Sequence, residues 1–388
     1  MQEKIRIAYF AGTMKQGQDG VTRVLYKMIE QLNENGIEHI FFSPIIPEES
    51  EQPTKMFEVP SFTFPAYKEY KVAVPGYKNF EDELKKFKPD ILHINSPCSL
   101  GYAAVKYGQK NNIPVVATYH THFPSYAKYY KVKVLENLGW NYLRNLYNKC
   151  EAVYVPSEPI MKELEEHGLD TIKFIPHGVD SKLFNPSYRS LGWKESLGIK
   201  DKKIILYAGR LVWEKDLKIL ADSYSIINSQ RDDVVFVLAG DGPIRENLRA
   251  MMPKATFLGY QSGIDLSTAY ASSDIFAFPS TTETFGNVTV EAMASGLPPV
   301  CTREGGAYGI INDGRTGLIA EPHDPESFAE KIIFLLDNED KRKEIGLNAY
   351  EFSQTQSWEN IIYKLIYSYK DIIYSYRKEL IYRLTRAA

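Results

Sequence analysis

Short apolar runs rich in Ile, Val, Phe and Tyr alternate with segments of helical spacing along the whole 388-residue chain. That alternation predicts βαβ units and parallel sheets, since a strand buried on both faces reads as a continuous apolar run. Two series emerge. The first has strands predicted over residues 5–10, 91–94, 115–119 and 153–156; the second has them over residues 204–207, 234–238, 255–258, 275–278 and 299–302. Between the first two strands, Val21, Val24, Leu25, Met28, Ile29 and Leu32 recur in steps of three and four, and Gly36 supplies a left-handed stop. This predicts an amphipathic helix that opens at a glycine loop.

Residues 180–203 lie between the series. There Phe184-Asn185-Pro186 and Gly192 interrupt any periodicity, so the interdomain linker is expected there. After Trp358 a helical pattern runs to the C-terminus. A chain of this length exceeds what one hydrophobic core organises, which agrees with two domains.

Charge narrows the functions. With 46 Lys and Arg against 49 Asp and Glu, the net charge of −3 gives no pull toward nucleic acid. Cys98, Cys150 and Cys301 are odd in number and widely spaced, so neither a disulfide framework nor a zinc site is expected, and a reducing cytoplasm fits. The N-terminus carries charges where a signal peptide needs an apolar stretch. No later run reaches the ~18 apolar residues of a membrane span.

Open α/β sheets bind ligands outside the carboxyl ends of their strands, so the residues just after each strand carry the chemistry. After the strand at 275–278 comes Pro279-Ser-Thr-Thr-Glu283-Thr-Phe285-Gly286-Asn287-Val-Thr-Val-Glu291, leading into a short helix that stops at Gly296-Leu-Pro298. Glu291 is expected in that helix's first turn. Phe285, Gly286 and Asn287 are expected to present backbone N–H groups at a helix N-terminus, where anions and hydroxyl oxygens bind. Carboxylates accept bidentately, so one glutamate can hold a ribose diol and the other hexose hydroxyls. The alternative is a helix start decorated with acids for its dipole. After the strand at 204–207, Gly209-Arg210-Leu-Val-Trp-Glu-Lys215 sets two cations five positions apart. They suit a departing diphosphate or, alternatively, a sheet end and a solvated ion pair.

His120 ends the strand at 115–119 and is followed by Thr121-His122-Phe123-Pro124-Ser125-Tyr126; a lone histidine there is more often structural than catalytic. The loop Gly12 to Arg23 lacks both the Gly-x-Gly-x-x-Gly spacing of a dinucleotide fold and the Lys-Ser/Thr of a P-loop. NAD and ATP are therefore not expected. Gly20 lets backbone approach a bound ligand, and Arg23 lies on the helix's first turn. No Asp-x-Asp pair exists for a divalent metal, so no metal or cofactor is expected, and the cations and helix N-termini take the metal's electrostatic role.

The stretch from Glu283 to Glu291, with Phe-Gly between its acids, resembles the Glu-x7-Glu motif of the retaining GT-B glycosyltransferases of family 4. The upstream Gly-Arg-x-x-x-x-Lys and the His-Thr at His120 resemble that family too. The likeness covers residues 4–365 and is strongest to bacterial mannosyltransferases and glycolipid synthases. It implies two Rossmann-like, doubly wound α/β domains facing across a cleft. Residues 1–190 with the C-terminal helix 366–388 would form the acceptor domain, and residues 200–365 the nucleotide-sugar domain. It further implies transfer of mannose or glucose from a GDP- or UDP-sugar, with retention and front-side attack, to a lipid or sugar acceptor. Glu283 then contacts the transferred sugar, Glu291 the ribose, the Phe285–Asn287 amides the sugar hydroxyls, Arg210 and Lys215 the diphosphate, and His120 the hexose near the reacting carbon. Gly20 is a donor-side residue; Arg23 and Tyr126 lie on the acceptor side.

Two positions depart from the family. Asp19 stands where it has a glycine, and Gly309 where it commonly has a glutamate. Residues 128–149 carry Lys128, Lys131, Lys133, Arg144 and Lys149 against Glu136, interleaved with Tyr129, Tyr130, Trp140 and Tyr142. The resemblance turns this basic, aromatic stretch into an expected contact with an anionic membrane at the inner face of the plasma membrane; a solvated helix with core aromatics is the alternative. Two rivals stand beside the transferase: a nucleotide-sugar epimerase on the same fold, and a nucleotide-sugar-binding protein without catalysis.

Overall fold

The computed structural model describes residues 5–15, 20–64, 67–74, 78–121 and 133–387. By internal contacts the chain divides into one unit of Met1–Pro176 with Trp358–Ala388 and a second of His177–Ser357.

The first unit holds strands β1 (Arg6–Phe10), β2 (Glu38–Ser43), β3 (Met56–Glu58), a hairpin of β4 (Ser61–Phe64) and β5 (Tyr67–Ala73), and then β6 (Ile91–Ile94), β7 (Val115–Thr118), β8 (Ala152–Val155) and β9 (Ile172–Phe174). Seven of them form one parallel sheet in the order β3-β2-β1-β6-β7-β8-β9, and the hairpin is antiparallel and separate. Period-two alternation sends neighbours to opposite faces. Phe10, Phe42, Leu92 and Val153 enter one core, while Tyr9, Phe41, Ile91 and Tyr154 enter the other.

The helix Gly20–Glu34 buries Val24, Leu25, Met28, Ile29 and Leu32, as its spacing predicts. It ends in a Schellman motif. Gly36 takes φ 63°, Ile37 N donates to Leu32 O at 3.0 Å and Gly36 N to Asn33 O at 3.0 Å. The terminal helix Trp358–Ala387 packs on the same face. Its Tyr369 hydroxyl lies 2.5 Å from His93 Nδ1 and 3.3 Å from Tyr9 Oη, and Tyr154 Oη donates to Ser368 Oγ at 3.0 Å. A polar cluster thus ties a distant stretch of chain to strands β1, β6 and β8.

The second unit has β10 (Lys203–Ala208), β11 (Val234–Ala239), β12 (Thr256–Gly259), β13 (Ile275–Phe278), β14 (Pro299–Thr302) and β15 (Leu318–Ala320), parallel and in the order β12-β11-β10-β13-β14-β15. In each sheet the strand order reverses beside its first strand, at β1/β6 and at β10/β13. Those reversals are where an open α/β sheet leaves a crevice.

The nine strands expected from the sequence are present to within one residue at either end. Residues 180–203 are not an open linker. Phe184 and Ile199 are buried in the second core, the Phe184 ring lies 5.7 Å from that of Tyr270, and Ser190 Oγ caps the helix Leu191–Ser196 by accepting from Trp193 N at 3.1 Å. The unit therefore begins at His177, and the return to the first unit falls at Trp358. Among the described residues no helix is long and apolar enough to cross a membrane.

Candidate active site

In the second unit, the loops after β10 and β13 meet at the reversal point. Past Gly209 and Arg210 the chain makes a short 3-10 turn, Trp213–Lys215, and then Asp216 adopts left-handed φ 53° before the helix Leu217–Asn228. The Asp216 carboxylate accepts from both the backbone N (2.9 Å) and the Oγ1 (2.7 Å) of Thr281. Thr282 Oγ1 donates to Glu214 O at 2.8 Å. These three bonds lock the two loops in register. Burial pushes the Asp216 carboxyl above the usual carboxylate range, and the Thr281 bonds act against it.

The lock brings Lys215 Nζ to 2.6 Å from Glu283 Oε1, with Lys215 buried and the Glu283 side chain about a fifth exposed (22%). The buried Tyr207 hydroxyl, which donates to Arg210 O at 3.0 Å, feels Glu283, Arg210, Glu214 and Asp216. Burial, with the Glu283 charge next, raises its pKa well above the ordinary tyrosine value. Charged groups of both signs therefore gather at the mouth of β10, and Arg210 among them is exposed.

Behind Glu283 stands the turn after β14. Gly306 N donates to Glu283 O at 2.5 Å, and a Cβ on Gly306 would lie 1.9 Å from Thr284 O, so only hydrogen fits. Gly286 takes φ 85° and starts the helix Asn287–Ala294. Glu291 is that helix's fifth residue and so lies in the second turn, not the first: the left-handed glycine delays the helix start until Asn287. Glu291 is buried and its Oε2 accepts from Tyr270 Oη at 3.1 Å. The first N–H groups of a helix have no partner within it, and this start is shaped by Phe285, Gly286 and Asn287.

Three contributors escaped the sequence reading. Tyr270 holds Glu291 from the helix Gly263–Ser272. Thr281 answers Asp216. His177 places its Nδ1 2.9 Å from Asn287 Oδ1, with its ring 5.0 Å from Phe285. Burial brings His177 down to about 4, so the neutral ring donates from Nδ1 to the amide oxygen. Each link joins positions far apart in the chain, which local spacing does not register.

In the first unit, Gly12 follows β1, and a Cβ there would lie 3.3 Å from Ser96 Oγ, so the loops after β1 and β6 approach closely. His120, just past β7, is buried, with Nε2 3.0 Å from Asn95 Oδ1. Asn95 is fixed by its own N–H to Phe10 O at 2.8 Å, and its buried Nδ2 has no hydrogen-bond partner among the described residues. Gly20 and Arg23 are exposed in the first turn of the helix Gly20–Glu34. Tyr126, with Lys128, Tyr129, Tyr130 and Lys131, lies outside the described residues. Of the basic, aromatic stretch that is described, Trp140 is a core residue whose ring stacks on His167 at 3.8 Å, while Tyr142 is 42% exposed.

The family described as Glycosyl transferases group 1 matches residues 192–352, and Glycosyltransferase Family 4 matches residues 18–183. A GDP-mannose-dependent alpha-mannosyltransferase of Corynebacterium glutamicum is 32% identical over 95% of this chain and 89% of its own. An alpha-monoglucosyldiacylglycerol synthase of Streptococcus pneumoniae is 26% identical over 81% of this chain and 75% of its own. Among solved structures, a sucrose-phosphate synthase from Thermosynechococcus elongatus superposes with a TM-score of 0.78 at 21% identity, covering 96% of this chain and 100% of that one, and supports the two-domain GT-B fold. The chain belongs to the group 1, family 4 glycosyltransferases, enzymes that transfer a sugar.

Proposed function

We propose that the protein is a retaining, metal-independent hexosyltransferase that takes mannose or glucose from a GDP- or UDP-sugar and delivers it to a lipid or glycolipid hydroxyl. The observation that carries this reading is the Lys215–Glu283 pair at the β10/β13 reversal. A buried ammonium there supplies fixed positive charge for a leaving diphosphate, and the adjoining carboxylate accepts hydrogen bonds from a hexose. The GDP-mannose that names the Corynebacterium relative and the diacylglycerol glycolipid that names the Streptococcus relative support these substrate classes. Independence of metal is supported by the lack of an Asp-x-Asp pair in the sequence.

In this reaction the bond from the anomeric carbon to the phosphate oxygen breaks and the acceptor oxygen bonds to the same face of that carbon. The acceptor proton passes to the leaving phosphate. Arg210 and Lys215 meet the charge that grows on the diphosphate, helped by the N-terminus of the helix Asn287–Ala294. Glu283 and the amides of Phe285, Gly286 and Asn287 hold the hexose, Glu291 holds the ribose, and Gly20 leaves room for the donor. His120 is assigned to the hexose, and Arg23 and Tyr126 to the acceptor.

A labelled-donor assay with GDP-mannose and UDP-glucose, offered with a lipid acceptor, tests the reading. Transfer of label to the acceptor is the expected result. Interconversion of the donor sugar alone would make the protein an epimerase, and donor binding with neither outcome would make it a carrier.

A further inference from the structure

The terminal helix Trp358–Ala387 carries two faces of unlike origin. Ile362, Leu365, Ile366, Tyr369, Ile372 and Ile373 are buried in the first unit. On an ordinary surface helix the opposite face is charged and polar. Here steps of three and four residues join Tyr363, Tyr367, Lys370, Tyr374, Lys378 and Ile381 in one stripe about 27 Å long. Tyr363, Tyr367 and Tyr374 are 71%, 69% and 69% exposed, and Ile381 is 62% exposed. In the final turns every residue from Ile381 to Arg386 is exposed, with Leu384 at 62%. The packing of the first unit does not account for this cost in exposed apolar surface.

Charge says what covers it. The helix has six cations, Lys364, Lys370, Arg377, Lys378, Arg383 and Arg386, against Glu359, Asp371 and Glu379. Arg377 is matched by Asp90 at 2.6 Å and Arg383 by Glu379 at 2.5 Å, while Lys370 and Lys378 sit exposed among the tyrosines. Tyrosine offers an apolar ring with a wet hydroxyl, and lysine lays an apolar stem below a charged head, so both suit a headgroup layer. Anionic headgroups supply the complementary charge.

We propose that this stripe docks on an anionic lipid bilayer, with the terminal helix lying in the plane of the headgroups. The inference rests on the lipid-acceptor reading for its purpose only. Vesicle binding is measured without donor or turnover, so either can fail alone.

The test is co-sedimentation of the full chain with phosphatidylglycerol-containing vesicles and with pure phosphatidylcholine vesicles, at low and high salt. Binding is expected to the anionic vesicles and to weaken with salt. K370E/K378E should lower affinity by about tenfold or more, and Y367S/Y374S should lower it at both salts, with circular dichroism and melting temperature unchanged. The proposal is overturned if the wild type ignores anionic vesicles at low salt or if both variants bind them like the wild type. It also fails if light scattering shows that the substitutions dissociate a dimer that does not bind vesicles, which would make a second copy the occupant.

Discussion

Lys215 and Glu283 sit 2.6 Å apart although 68 residues separate them, one carried by the loop after β10 and the other by the loop after β13. A buried pair of this kind loses more when one partner is removed than when both are, because the survivor keeps its charge without compensation. The two side chains are also the centre of the proposed donor site. Lys215→Ala and Glu283→Ala should each lower transfer by about 100-fold or more in kcat, and the double variant should lose much less than the product of the two losses. Initial rates for the three variants measure this. Independent, multiplicative losses would separate the residues in function despite their contact.

Glu291 should behave differently. It is buried and held by Tyr270, and its proposed role is ribose binding, which persists from ground state to transition state. Loss of such uniform binding raises KM and spares kcat. Glu291→Ala should therefore raise the donor KM by about tenfold or more, and Tyr270→Phe, which leaves the carboxylate in place, should raise it less. Steady-state kinetics with the donor varied decide it. A fall in kcat at unchanged KM would move Glu291 to the chemical step.

The sequence was informative wherever function and fold lie in a run of neighbours. The central strands β1, β6, β7, β8, β10, β11 and β13 are buried on both faces, so their apolar runs stand out, and both glutamates with their glycine fall within nine consecutive positions. The strands missed are mostly short or at an edge: β3, β9 and β15 have three residues each, too few for any period to show. Residues 180–203 were misread because Pro186 and Gly192 break local periodicity, whereas Phe184 and Ile199 are held by contacts with distant chain. The supports of the site were invisible for the same reason. Asp216 meets Thr281 across 65 residues and His177 meets Asn287 across 110.

Two buried histidines make the fold acid-sensitive. Burial depresses His177 to about 4 and His93 to about 3 from an ordinary 6.5. The unfolded chain then takes up protons near pH 6.5 that the native state refuses, so stability is full above that pH and falls as pH drops toward 4. The loss at His177 is about 3 kcal/mol over this window. Denaturant melts at intervals between pH 7 and 4 should show it, and His177→Gln, neutral throughout, should flatten the slope. An unchanged slope in the variant would acquit His177.

The polar anchor of the terminal helix can be removed one atom at a time. Tyr369→Phe deletes a buried hydroxyl that lies within hydrogen-bond reach of His93 and Tyr9, leaving the His93 Nδ1 without that contact. The expected cost is about 1–3 kcal/mol of stability, the price of stranding a buried polar group. Donor affinity measured by thermal shift should stay put, since the Tyr369 hydroxyl touches none of the residues assigned to the donor. Equal stability of variant and wild type would mean that water replaces the hydroxyl.

Gly306 offers the sharpest steric test of the site. Its φ of −83° is one that any L-residue adopts, so a substitution there meets no backbone strain of its own. The added methyl of Gly306→Ala would instead fall 1.9 Å from Thr284 O and 2.2 Å from its carbonyl carbon, atoms of the backbone that follows Glu283. Backbone has no rotamer by which to retreat, so the loop carrying Glu283 must shift, and the hydrogen bond from Gly306 N to Glu283 O goes with it. Since a displacement of about 1 Å can cost a catalytic group about 100-fold, Gly306→Ala should cut kcat strongly while melting within a few degrees of the wild type. Near-normal turnover in a folded Gly306→Ala would show that Glu283 does not need its present position, and would remove it from the proposed chemistry.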